Sequence, residues 1–245
     1  IKMSALLPLL DRSFDHLLVH SGQHYSPNMD KVFFDELALR DPDFTLEVGS
    51  KTPGVQTSEI MAGVEHLILE HRPDCLVVQG DTNTTLGAAL ACCKYPDVEL
   101  VHVEAGTRSG NPRQPEEINR KLIDRVSTIH FVPLPTDLHN LTSEGISIDH
   151  AVVTGSTIFD SCLRAARLAE ETEILAKLGL ASGDYALATF HRQETVDDPL
   201  RLSSIFSALE RLSSNTRLLV PLHPRSRKKI QEFGLEPRGA NFHLL

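Results

Sequence analysis

The sequence predicts an α/β protein of two Rossmann-like domains, each a doubly wound parallel sheet. Three observations predict it. Short, almost continuously apolar runs, as at residues 75–79 and 99–103, read as strands buried on both faces. Longer segments of helical period alternate with these runs, in the βαβα order of a parallel sheet. A long amphipathic stretch near residues 158–178 then divides one group of strands from a second.

The first group has strands at residues 16–20, 75–79, 99–103, 129–132 and 151–154. Helices at 28–39, 55–70, 84–94, 115–126 and 136–144 lie between them. Gly179 is placed to end the dividing helix, and Ala181, Ser182, Gly183 and Asp184 form a loop after it. The second group has strands at 185–190 and 217–221, with a third beginning at Asn241. The expected organisation is an N-terminal domain over 1–159, lacking its first strand, and a partial C-terminal domain over 160–245. Ile1, Lys2 and Met3 read as the start of a helix with no strand before it.

The composition narrows the function. With 41% hydrophobic and 23% charged residues, the chain is too apolar for disorder. No run approaches the roughly 18 apolar residues of a membrane helix, and no secretory leader is visible. Acidic residues number 33 against 24 basic ones, a formal charge of -9. That balance does not suit nucleic-acid binding, so an anionic ligand needs a locally built site of cations, histidines and helix N-termini. The cysteines, Cys75, Cys92, Cys93 and Cys162, form no CxxC pair and no zinc spacing. They read as buried free thiols of a cytoplasmic protein. No metal site and no cofactor is expected.

Open parallel sheets bind ligands beyond the carboxyl ends of their strands. Polar clusters follow four strands at that position: Gly80-Asp81-Thr82-Asn83, Glu104-Ala105-Gly106, His191-Arg192-Gln193-Glu194 and His223-Pro224-Arg225. Two fall in each domain, which predicts a cleft between domains holding several ionisable groups. Each cluster also has a structural explanation. Asp81 could cap the helix that begins at Thr82 or Asn83. His102, inside its strand, fits a hydrogen-bonded core histidine. Glu116 and Glu117 follow Pro115 in a first helical turn, where acids complement the helix dipole. Glu104, between a buried strand and a turn, needs a partner wherever it sits.

Several of these segments together resemble a known family. His102-Val103-Glu104-Ala105-Gly106, Arg108-Ser109-Gly110 and Pro115-Glu116-Glu117-Ile118-Asn119-Arg120 are similar to the signature of the non-hydrolysing UDP-N-acetylglucosamine 2-epimerases. So are Gly80-Asp81-Thr82-Asn83-Thr84-Thr85, Ser21-Gly22-Gln23-His24 with Asn28-Met29, Thr189-Phe190-His191-Arg192-Gln193-Glu194 with Val196-Asp197-Asp198, and Pro221-Leu222-His223-Pro224-Arg225. The segments run in colinear order along essentially the whole chain.

The resemblance implies a GT-B-like pair of Rossmann-like domains, the second truncated here, with a UDP-sugar substrate and no cofactor. It implies anti elimination of UDP to a 2-acetamidoglucal, then re-addition with C2 inverted. It places Asp81, Glu104 and Glu116 on the catalytic carboxylates and His191 on the catalytic, UDP-contacting histidine. It assigns Lys2, Gln23, His24, Arg108, Arg120, Arg192 and His223 to substrate binding. A cytoplasmic homodimer, with no membrane or nucleic-acid partner, is its further implication. A C2 hydrogen beside an acetamide is weakly acidic, so a base must meet it at close range. Carboxylates grouped in a partly closed cleft can divide the acid and base roles, and the departing diphosphate needs cations and a histidine.

Departures from the family pattern carry expectations of their own. The N-terminal strand with its arginine loop, and the C-terminal Asp-Ser-Gly-Gly segment, lie outside residues 1–245, so these residues alone are expected not to turn over. Val55 stands before Gln56 where some members have an arginine of an allosteric site, which speaks against allosteric activation. The alternatives are a UDP-2,3-diacetamido-2,3-dideoxyglucuronate 2-epimerase, a GT-B glycosyltransferase, a hydrolysing 2-epimerase and a non-catalytic nucleotide-sugar-binding fragment.

Overall fold

A computed structural model describes residues 1–22 and 31–245. The chain divides into two compact units, Ile1–Ala169 and Glu170–Leu245.

The first unit opens with a 3-10 turn, Lys2–Ala5, and α1, Leu7–Ser13. Strand β1, Val19–His20, leads through α2, Lys31–Glu36, to β2, Phe44–Thr45. Then come α3, Pro53–His71; β3, Cys75–Gln79; α4, Asn83–Cys92; β4, Glu99–Val103; α5, Pro115–Val126; β5, Ile129–Val132; α6, Pro135–Ser143; β6, Ala151–Val153; and α7, Thr157–Glu170. The second unit holds α8, Ile174–Lys177; β7, Tyr185–Leu187; α9, Gln193–Val196; α10, Pro199–Ser213; β8, Arg217–Val220; α11, Pro224–Glu232; and β9, Phe242–Leu244.

Every described strand pair is parallel. Sheet order is β1-β2, then β3-β4-β5-β6, and β7-β8-β9 in the second unit. The helical and strand periods chose these elements. Helix α3 buries Ile60, Val64 and Ile68, spaced four apart on one face. Each such side chain contributes roughly 2 kcal/mol when buried. Helix α4 is buried on most sides and is made of small residues, so it lies close against α3. A Cβ at Gly87 would meet the Thr57 carbonyl at 2.8 Å and Ile60 at 2.9 Å, so only glycine permits that approach. The second core gathers Val196, Leu202, Phe206, Leu218, Val220, Ile230 and Phe242.

Two expectations, on the dividing helix and on the cysteines, are corrected. The single long helix over 158–178 is two, α7 and α8, separated at Glu171, Thr172 and Glu173. Glu170 and Glu171 crowd the negative end of the α7 dipole, which favours stopping there. Helix α7 stays with the first unit. Its Ser161 hydroxyl donates to the Ile1 carbonyl at 3.1 Å, and Arg164 donates to the carbonyls of Ser4, at 2.8 Å, and Leu37. The contact division therefore falls after Ala169, where the sequence reading set 159. The cysteines are free, but only Cys92 is buried; Cys75, Cys93 and Cys162 are exposed. Cys75 opens β3 at the rim of its sheet, before the strand becomes covered. Strand β2 had no counterpart in the sequence reading, since two residues are too few to show a period.

Among the described residues, no helix is long and apolar enough to cross a membrane.

Candidate active site

In the first unit the site grows from one register. Gln79 and Val103 are paired at the carboxyl ends of β3 and β4, so the turns after them start at the same level. The Gly80 amide donates to the Val103 carbonyl at 3.1 Å and ties the two turns together. The first turn carries Asp81 and the second carries Glu104.

Glu104 has a φ of 74°, in the left-handed region that an L side chain enters at a cost of about 1–2 kcal/mol. Its amide and that of Ala105 both donate to the Phe131 carbonyl, at 3.0 and 3.1 Å, which holds the unfavourable turn. Its carboxylate accepts from Lys2 Nζ at 2.8 Å on each oxygen and from Gln79 Nε2 at 2.5 Å. Lys2 reaches it from the 3-10 turn, whose carbonyls are anchored by α7. A Cβ at Gly80, which has a φ of 75°, would stand 3.6 Å from Glu104 Oε2 and 3.8 Å from Lys2 Nζ. The backbone beside Asp81 is thus at the Glu104 carboxylate.

Asp81 does not cap α4. Thr82 is the cap, with its Oγ1 accepting from the Thr85 amide. The Asp81 carboxylate accepts from Arg120 Nη2 at 2.5 Å, and the Asp81 carbonyl accepts from Asn119 Nδ2 at 2.8 Å. Helix α5 therefore grips Asp81 by side chain and backbone. Arg120 also donates to Glu117 at 3.0 Å. Glu117 is buried and accepts from the Ser109 amide, the Ser109 hydroxyl and the Gly110 amide, closing the loop before α5. Burial works to raise the Glu117 carboxyl, but these donors prevail and hold it below the usual range. Glu116 is exposed, one turn before Arg120 and therefore on the helical face that reaches Asp81.

Arg108, expected at the substrate, is paired within the first unit. Its Nε and Nη2 donate to Glu144 at 2.9 and 2.7 Å, and its Nη1 donates to Asp124 at 2.7 Å. Each of its three nitrogens has a partner within the first unit, so the guanidinium braces the loop after β4 against α5 and the end of α6. Asp124 is fully buried and also accepts from His102 Nδ1 at 2.7 Å and the Gly106 amide at 3.1 Å. His102 Nε2 donates to the Gly80 carbonyl at 2.9 Å. His102 is thus the core histidine its position suggested.

In the second unit, His191 and His223 follow β7 and β8. Their rings stack at 5.5 Å with an interplanar angle of 28°. His223 caps α11, its Nδ1 accepting from the Arg225 amide at 3.1 Å. Arg192 is exposed at the start of α9. Arg225, by contrast, is paired with Asp197 at 2.5 Å. Gln23 and His24 lie outside the described residues. Among the described residues, no cluster of His, Cys, Asp and Glu is arranged to hold a metal.

The structure therefore groups Lys2, Asp81, Glu104 and Arg120 in the first unit, and His191 and His223 in the second. Sequence reasoning missed Gln79, Asn119 and Asp124. Gln79 carried a signal, as the one polar residue ending an apolar strand before the Gly80 turn.

Residues 9–245 match the family model described as UDP-N-acetylglucosamine 2-epimerase. The chain belongs to the UDP-N-acetylglucosamine 2-epimerase family. The UDP-N-acetylglucosamine 2-epimerase of Methanococcus maripaludis is 39% identical over 251 residues, covering 100% of this chain and 68% of the relative. The UDP-2,3-diacetamido-2,3-dideoxy-D-glucuronate 2-epimerase of Pseudomonas aeruginosa is 41% identical over 229 residues, covering 92% of this chain and 63% of the relative. The crystal structure of Methanocaldococcus jannaschii UDP-GlcNAc 2-epimerase in complex with UDP-GlcNAc and UDP superposes with a TM-score of 0.90 at 37% identity. That match covers 100% of this chain and 69% of the other. Each unit is thus a Rossmann-like domain of an epimerase of the GT-B-like fold.

Proposed function

We propose that this epimerase-family protein interconverts UDP-N-acetylglucosamine and UDP-N-acetylmannosamine. A carboxylate takes the C2 proton, and the C2–H electron pair becomes a C1–C2 double bond. The C1–O bond breaks and UDP leaves with its electrons, giving a 2-acetamidoglucal. Return of a proton to the opposite face of C2, with UDP re-adding at C1, completes inversion without net redox change. Asp81, Glu104 and Glu116 share the proton transfers. Lys2, Gln23 and His24 contact the sugar nucleotide, while His191, with Arg192 and His223, holds the UDP. Arg120 keeps Asp81 in place.

The observation that carries this reading is Glu104. A carboxylate held in a left-handed turn at the end of β4, fixed by Lys2 and Gln79 against the Gly80 turn, is a costly arrangement. Strain of that kind is retained where a site needs it. The Glu104→Gln variant should lose turnover by about 100-fold or more, the scale of acid–base groups. Full activity in that variant would remove Glu104 from the chemistry.

The Pseudomonas aeruginosa relative, at 41% identity, favours a second reading with UDP-2,3-diacetamido-2,3-dideoxyglucuronate as substrate. Assaying the full-length protein on both nucleotide sugars, with the C2 epimer as readout, separates them. A cytoplasmic homodimer supplying activated sugars for cell-surface polysaccharide fits either substrate.

A further inference from the structure

We propose that Asp124, through His102, is the positioning residue that sets the spacing between the Asp81 and Glu104 turns; the proposal rests on the epimerase reading. Asp124 sits on α5, fully buried, one helical turn beyond the Arg120 that holds the Asp81 side chain. Its two oxygens reach the two turns separately. Oδ1 accepts from His102 Nδ1 at 2.7 Å, and His102 Nε2 reaches the Gly80 carbonyl at 2.9 Å, one residue before Asp81. Oδ2 accepts from the Gly106 amide at 3.1 Å, two residues after Glu104. One rigid carboxylate therefore anchors the turn after β3 and the turn after β4.

The hydrogen-bond inventory makes this bridge directional. A carbonyl oxygen and an ionised carboxylate only accept, so both nitrogens of His102 donate. Arg108 Nη1, at 2.7 Å from Oδ2, completes an alternating row of His102, Asp124, Arg108 and Glu144. Such a row satisfies buried charges that would otherwise be costly. The turns have little freedom elsewhere. Gly80 and Gly106 have φ of 75° and 79°, and a Cβ at Gly106 would meet the Asp137 carbonyl at 2.3 Å. A side chain that joins both turns therefore fixes where the two carboxylates meet the sugar. Misplacing reacting groups by about 1 Å can cost on the order of 100-fold in rate.

The test compares wild type, Asp124→Asn and His102→Gln in the full-length protein, with UDP-N-acetylglucosamine bearing hydrogen or deuterium at C2. The proposal predicts that both variants fold and bind UDP with the wild-type stoichiometry. Turnover should fall by about 10- to 100-fold, and the C2 deuterium isotope effect should rise as proton removal becomes slower relative to the other steps. The isotope effect does not depend on how much enzyme is active, so partial unfolding would leave it unchanged. Unaltered turnover in both variants overturns the proposal. So does a loss matched by fewer UDP-binding sites at an unchanged isotope effect, or the failure of both variants to fold. No C2 exchange in the wild type would instead refute the epimerase reading on which the proposal stands.

Discussion

At the scale of single residues, Glu104 holds an unfavourable backbone conformation at the end of β4. Its left-handed backbone costs about 1–2 kcal/mol. The pair it makes with Lys2, a lysine with 39% of its side chain exposed, returns at most about 1 kcal/mol. Asn and Gly both tolerate that backbone region. With the Gln79 hydrogen bond also lost, Glu104→Asn and Glu104→Gly should cost no more than about 2 kcal/mol of stability while losing epimerisation. Thermal unfolding followed by circular dichroism checks this. A loss of more than about 2 kcal/mol in both variants would mean that the carboxylate holds the fold rather than serving chemistry.

At the scale of elements, β4 and α5 form the frame of the first-unit site, and their carboxyls link it to pH. Burial works to raise Asp124, yet the hydrogen bonds and charges of His102 and Arg108 hold it below the usual carboxylate range. Glu117 is lowered against burial in the same way, and Glu144 is lowered chiefly by the hydrogen bond from Arg108. A carboxyl lowered in the folded state stabilises fully above its unfolded value, near 4, and loses that contribution as pH falls through its folded value. The melting temperature should therefore fall steeply below about pH 4, and Asp124→Asn should soften the slope. A melting temperature that holds constant from pH 6 to pH 3 would contradict this assignment.

The same elements show what the sequence could reveal. Strands β3, β4 and β5 stood out because buried parallel strands are continuously apolar, and α5 because Pro115 and two acids mark its start. Asp81 and Glu104 were visible because both follow such strands. Asp124 was not, because an acid inside an amphipathic helix looks like any solvated charge until the fold shows which face it occupies. The pairing of Arg108 was hidden for a related reason: its motif gave its neighbours but not the direction of its side chain. The break between α7 and α8 was hidden by a helical period that continues through Glu171 and Thr172.

At the scale of the whole molecule, each of the two Rossmann-like units carries its own polar group beyond its strand ends. The first holds the Asp81 and Glu104 carboxylates with Arg120 and Lys2. The second presents a stacked pair of histidines with Arg192 nearby in sequence, groups suited to an anionic nucleotide. The proposed reaction requires that the C2–H bond is broken during turnover. Proton NMR of UDP-N-acetylglucosamine incubated with the full-length protein in D2O tests this directly. The epimerase reading predicts loss of the C2 proton signal, with deuterium appearing at C2 of both epimers and no free sugar accumulating. Retention of the C2 proton through complete conversion, or through prolonged incubation with no conversion, would contradict it.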